Sequence, residues 1–182
     1  TFTLEVPQGI TFEFLPGQHI NVSSHDISKE QSKDEWKGFS VSSSPMEVKH
    51  IDITLLNRGP FSQRMHELQT GFFLRVKGPN GNFIFDEDVE ENPVFIAGGA
   101  GIAPIMSMIR YIIDKKLSYQ ATLIYSARNM QNILFYKERK KIHAENANIK
   151  CIFTLTQSDE SEWKGSTDRI NEEMVVANIK NI

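Results

Sequence analysis

An antiparallel β-barrel leading into an α/β unit with a parallel sheet is the architecture expected of this 182-residue chain. Two patterns predict it. Up to Phe85, apolar residues alternate with period two in short runs broken by turn residues, which suits antiparallel strands in a small barrel or sandwich. Beyond Pro93, short apolar runs alternate with helical stripes, which implies parallel strands joined by right-handed crossovers. The acidic run Asp86-Glu87-Asp88-Val89-Glu90-Glu91, followed by Asn92-Pro93, lies where the pattern changes. It reads as a solvated connector and sets the expected boundary between residues 1–90 and residues 91–182.

In the first half the expected strands carry Phe2, Leu4 and Val6; Phe12 and Phe14; Ile20 and Val22; Val48 and His50 around Ile51, Ile53 and Leu55; and Phe72, Leu74 and Val76. Turns are expected at Pro7-Gln8-Gly9, Leu15-Pro16-Gly17, Ser44-Pro45, Arg58-Gly59-Pro60 and Gly78-Pro79-Asn80-Gly81. Closure into a barrel removes exposed strand edges. The polar run Ser23 to Glu35 lacks periodicity and reads as a loop. One helix is expected from Ser62, as N-cap, to Leu68.

In the second half Val94 to Ala97, Ala121 to Tyr125 and Ile149 to Leu155 read as buried strands. Ile105, Met108, Ile109 and Ile112 form a helical stripe, and further helices are expected over Ile133 to His143 and Ile170 to Ala177. The pattern starts inside a strand and stops after a third helix, so truncation at both ends is expected.

Composition narrows the function classes. Hydrophobic residues make up 40% and charged residues 24%, as in folded globular proteins. No apolar run approaches the ~20 residues of a membrane span, and the N-terminal residues show no charged-then-apolar leader, so no export signal is expected. The net charge of −3 predicts no affinity for nucleic acid. One cysteine, Cys151, excludes an internal disulfide and any multi-cysteine metal or iron–sulfur site within these residues. It reads as a small buried residue. The five histidines lack metal-ligand spacing, so no metal site is expected. The simplest compartment is the reducing cytoplasm.

Chemistry concentrates at Gly98-Gly99-Ala100-Gly101-Ile102-Ala103-Pro104, between an expected strand and helix. Glycines let backbone approach a phosphate closely, and a helix N-terminus offers free N–H groups and partial positive charge. Pro104 suits a first turn, where its missing N–H is harmless; it stands where the usual dinucleotide fingerprint has a third glycine. The next strand ends at Tyr125-Ser126-Ala127-Arg128, with no acid to hold a ribose 2′-hydroxyl. Ser126 and Arg128, with Lys137 and Arg139 on the helix beyond, favour NADP(H) over NAD(H). Lys140 and Lys141 read as a solvated face.

In the first half, Lys37-Gly38-Phe39-Ser40-Val41-Ser42-Ser43 brings a cation, an aromatic ring and hydroxyls together on one strand. Taken with its surroundings, this pattern resembles the ferredoxin–NADP reductase superfamily of flavoproteins over essentially the whole chain. Leu15-Pro16-Gly17-Gln18 resembles that family's Pro-Gly-Gln turn, and Lys37 to Ser43 its Arg-x-Tyr-Ser-x-x-Ser flavin motif. Gly59-Pro60-Phe61-Ser62 resembles its Gly-x-x-Ser at a helix start. Gly78-Pro79-Asn80-Gly81-Asn82-Phe83 resembles the segment that closes its barrel. Gly98 to Pro104 resembles its pyridine-nucleotide loop, and Trp163-Lys164-Gly165 with Arg169-Ile170 its Trp-x-Gly…Arg-Ile segment.

The resemblance implies a Greek-key flavin barrel followed by a Rossmann-like nucleotide domain, binding FAD (FMN being the alternative) and NAD(P)H. It implies that Ser40 hydrogen-bonds the flavin near N5 and is the catalytic residue, and that Phe39 lies against the isoalloxazine or ribityl chain. Lys37, Val41, Ser43, Gly59 and Ser62 complete the flavin set, with Lys37 and the N–H groups around Ser62 facing phosphate. Gly98, Gly99, Gly101 and Pro104 would seat the dinucleotide. Lys37 stands where the family has Arg, giving a point charge in place of a fork, and Phe39 stands where it has Tyr. The implied function is an NAD(P)H-dependent flavoprotein reductase that passes electrons to an iron–sulfur or other one-electron carrier such as a ferredoxin. Two alternatives stay open: a reductase component of a larger complex, and a degenerate flavin- or nucleotide-binding regulatory module.

Overall fold

The computed structural model describes residues 1–23, 35–89, 92–157 and 163–179. The expected loop from Ser23 to Glu35 therefore lies, over residues 24–34, outside the described residues, as does the Glu90-Glu91 end of the acidic run.

Among the described residues, five strands and one helix build the first half: β1 (Phe2–Glu5), β2 (His19–Ser23), β3 (Lys37–Ser40), β4 (His50–Ile53), α1 (Pro60–Glu67) and β5 (Arg75–Asn80). All pairings are antiparallel. β1 pairs with β4, and β2 lies between β3 and β5. An antiparallel bridge, Val41 to Ile53, joins the two sheets. Inward alternation fixes the register: Ile20, Val22, Val41 and Ile53 are fully buried and pack with Phe14, Ile51, Phe61 and Met65 into one core.

Sequence patterning misplaces some local elements here. Phe12 and Phe14 are not in a strand; they pack into the core, their ring centroids 6.1 Å apart, without a ladder partner among the described residues. Gly78-Pro79-Asn80 is not a turn but the end of β5, which among the described residues pairs only with β2. An edge strand tolerates the N–H that proline lacks. Ser62 is not the N-cap of α1. Gly59 is, because Pro60 at the first position starts the helix earlier.

The second half is a three-stranded parallel sheet in the order β6–β7–β8, with β6 (Val94–Gly98) at its edge, β7 (Ala121–Ala127) central and β8 (Ile149–Leu155) outermost. Helices α2 (Ile102–Asp114) and α3 (Tyr136–Glu145) form the crossovers, and α4 (Glu172–Asn178) follows β8. The apolar stripe of α2 is buried from Ile102 to Ile109. α3 begins three residues later than expected, because Ile133 ends a 3₁₀ turn over Met130–Asn132 in extended backbone and Phe135 (φ 55°) is left-handed, so helical backbone resumes only at Tyr136. α4 starts at Glu172 rather than Ile170, since the Asn171 side chain accepts the Met174 N–H at 2.8 Å and caps it.

The halves meet through Phe85, which packs on Phe95, Tyr111 and Tyr119 and donates its N–H to Pro16. At Gly17 (φ 105°) a Cβ would fall 2.3 Å from the Phe83 carbonyl oxygen and 2.4 Å from the Met108 Cε, so this seam admits only glycine.

Candidate functional site

Parallel pairing sets Gly98, Ser126 and Thr154 side by side at the C-terminal edge of the second sheet, the place where open α/β sheets bind ligands. There the chain leaves β6, makes one 3₁₀ turn over Gly99–Gly101 and enters α2. Gly99 has φ 52°, and a Cβ at Gly99 or Gly101 would meet nothing within 4 Å, so the turn presents open backbone. The Tyr125 hydroxyl donates to the Gly99 carbonyl at 3.1 Å, fixing the turn from beneath. Pro104 is buried in the first turn of α2. Ser126 is half-buried and Arg128 exposed beside the turn's strand.

Beneath Tyr125 lies Arg139, fully buried. Its guanidinium carbon sits 4.1 Å from the Tyr125 ring centroid and 4.7 Å from that of Phe153. One nitrogen donates to the Leu134 carbonyl, while Nε and Nη1 find no partner. Burial pulls the group down to about 10 and lifts the Tyr125 phenol above its ordinary value. The expectation that Arg139 faces a 2′-phosphate is therefore corrected: helix periodicity turns it inward beside Ile142, and only the exposed Lys137 of that pair remains outside.

In the first half Phe39 stacks on Phe61 of α1, centroids 5.8 Å apart and planes at 32°. Arg64 lies over the Phe61 ring at 5.7 Å. The Glu35 carboxylate sits between two cations, 3.6 Å from Lys37 Nζ and hydrogen-bonded to Arg64. The two cations thus converge on one anionic group. Ser40 is half-buried opposite His19. Val41 and Ser43 are turned inward: Val41 is in the core, and the Ser43 hydroxyl accepts the Asp52 N–H at 3.0 Å. The buried Ser62 hydroxyl accepts from Arg58 N–H at 2.7 Å and donates to the Gly59 carbonyl at 3.0 Å, so it shapes the approach to α1. A ring platform with cations at its edge fits a flavin nucleotide, and an open glycine turn at a helix start fits a dinucleotide. Among the described residues, no three metal-ligating side chains come together, and no helix is long and apolar enough to cross a membrane.

Sequence reasoning did not pick out Glu35, Phe61, Arg64, Arg110 or the hydroxyl of Tyr125. Phe61 and Arg64 carry a weak signal, three residues apart, Phe61 within the Gly59–Ser62 motif and Arg64 on the expected helix.

Comparison with known proteins agrees with this geometry. The family described as oxidoreductase FAD-binding domain matches residues 1–85, and that described as oxidoreductase NAD-binding domain matches residues 95–181. The chain belongs to the ferredoxin–NADP reductase superfamily. It is 30% identical over 170 residues to the glycine betaine monooxygenase reductase subunit of Chromohalobacter salexigens, covering 91% of this chain and 45% of that protein. It is 31% identical over 169 residues to the sulfhydrogenase 1 subunit gamma of Pyrococcus furiosus, covering 91% and 55%. The chain thus spans about half the length of these relatives. The cytochrome b5 reductase domain of Ulva prolifera nitrate reductase shares the fold at TM-score 0.77 and 20% identity, over 93% of this chain and 72% of that one. The ferredoxin–NADP+ reductase of Plasmodium falciparum does so at TM-score 0.70 and 18% identity, over 90% and 72%. The two family descriptions name FAD binding for the first half and NAD binding for the second.

Proposed function

We propose that the chain is the catalytic unit of an NAD(P)H-dependent flavin reductase, with a flavin lobe over residues 1–90 and a nucleotide lobe over 91–182. The observation that carries this reading is the succession on one chain of a ring-and-cation platform and an open glycine turn, each within the family whose description names its ligand. A bound flavin accepts a hydride equivalent from a reduced nicotinamide and can release the electrons singly.

The protein's part is placement and electrostatics. Phe39 offers a ring face to the isoalloxazine or ribityl chain, and the Ser40 hydroxyl a hydrogen bond near N5. Lys37 and the backbone at Gly59 and Ser62 face the flavin phosphate, with Val41 and Ser43 holding the strand in register. Gly98, Gly99 and Gly101 give backbone N–H groups to the dinucleotide, and Pro104 leaves the first turn of α2 free of a competing donor. Arg128 and Ser126, with no acid beside them, favour NADPH. The acceptor is a one-electron carrier protein, an iron–sulfur protein such as a ferredoxin first among them, in the reducing cytosol. The relatives' names, a monooxygenase reductase subunit and a hydrogenase subunit, favour a place as the reductase component of a larger assembly.

The test is direct. The purified chain soaked in FAD or FMN should turn yellow and be bleached by NADPH. A chain that stays colourless with both flavins sinks the proposal. Arg128→Ala should raise KM for NADPH more than for NADH; an equal rise for both removes the coenzyme preference.

A further inference from the structure

One side chain ties the flavin-motif strand to the helix that carries the glycine turn. Arg110, on α2, grips Glu138 of α3 with two parallel bonds, Nε and Nη2 each 2.8 Å from a carboxylate oxygen. This fork fixes the guanidinium plane. The remaining nitrogen, Nη1, then points across to the first half and donates to the Ser42 carbonyl at 2.5 Å. Asp52 Oδ2 stands 3.8 Å away, and its other oxygen is already held by Thr3. Phe135 covers the guanidinium at 5.3 Å, and the side chain is only 19% exposed.

The receiving end is as tightly held as the giving end. Ser42 N–H and Oγ both donate to the Asp52 carbonyl, at 2.8 and 3.2 Å, and Asp52 N–H donates to Ser43. Ser42 lies two residues beyond Ser40, and Arg110 lies on the same rigid helix that begins at the glycine turn. A shift of α2 along the first half breaks the Ser42 bond or the Glu138 fork.

We propose that Arg110 is the positioning residue that sets the offset between the flavin-motif strand and the dinucleotide turn, and hence the alignment of the two reacting rings. The proposal rests on the functional reading above. The geometry needs arginine, since a lysine cannot hold Glu138 with a fork and still reach Ser42.

The test uses the full chain loaded with FAD. Stopped-flow reduction by NADPH gives the rate of flavin bleaching, and titrations give KM for NADPH and the FAD affinity. Spin labels on Val48→Cys and Ser118→Cys, both exposed positions in different halves, report the inter-half distance without any chemistry. In Arg110→Met the rate should fall by about tenfold or more, while KM and FAD affinity stay within about threefold, and the distance distribution should broaden. Glu138→Gln, a milder change that leaves Arg110 in place, should move the same readouts partway. Unchanged rate and distance in both variants would overturn the clamp, as would a rate loss matched by an equal loss of FAD. A wild-type chain that binds FAD but is not bleached by either coenzyme would bring down the functional reading instead, and the label distance would still decide the clamp.

Discussion

The hydroxyl of Tyr125, on the central strand of the parallel sheet, donates to the carbonyl of Gly99 at 3.1 Å. The one residue of the turn with left-handed backbone is thereby anchored to the strand least able to move. Tyr125→Phe keeps the ring stacked on Arg139 and removes only this bond. KM for NAD(P)H should rise about 2- to 10-fold, the range one net hydrogen bond supports, with flavin absorbance unchanged. An unaltered KM would mean the turn holds its shape without the bond.

Glu35 occupies the space between Lys37 and Arg64. If the proposed flavin phosphate seats on these cations it displaces Glu35, so Glu35→Gln should tighten flavin binding by up to about fivefold, in keeping with an exposed ion pair. Arg64→Ala should weaken it. Fluorescence titration with FAD measures both, and weaker binding by Glu35→Gln would contradict the displacement.

Arg139 is charged and buried; among the described residues no carboxylate hydrogen-bonds it, and two rings and one carbonyl meet its guanidinium. Desolvation of such a group offsets much of what its contacts contribute. Arg139→Met, of similar length and without charge, is expected to melt at or above the wild-type temperature. A drop of more than about 8 °C, roughly two kcal/mol or more for a chain of this size, would show that ring stacking outweighs desolvation.

Burial pushes the Cys151 thiol up to about 11 from its ordinary 9.0. Its folded value is raised, so the folded state holds a proton that the unfolded state has lost between those values. Stability contributed by the neutral thiol is intact below pH 9.0 and declines as pH rises towards 11. Denaturant melts across this window should show a steeper loss for wild type than for Cys151→Ala. Parallel losses would place the thiol in water.

The fold was legible where burial follows a period. β8 runs from Ile149 to Leu155 as its apolar run indicates, and α2 buries the stripe of Ile105, Met108, Ile109 and Ile112. Elements set by chain direction or long-range pairing were not. The Pro79 segment reads as a turn until β2 pairs with it, and Phe12 and Phe14 alternate like a strand without a neighbour to bond. At the site, the glycine turn and the Lys37–Ser43 strand show in local residue types. Arg110 does not, because its partners lie 28 and 68 residues away. Arg139 hides within a basic run, and only its spacing from Ile142 hints that it points inward.

β6 sits at the margin of its sheet, with Ile96 52% exposed and a cavity of about 250 Å³ beside it, lined by Phe83, Val94 and Ile105 among others. Its outer rail of amides and carbonyls has no ladder among the described residues. Such a rail beside greasy side chains is a template for intermolecular zippering. Concentrated solutions of these residues alone should thicken into oligomers that light scattering detects, and a lysine at Ile96 should keep them dispersed.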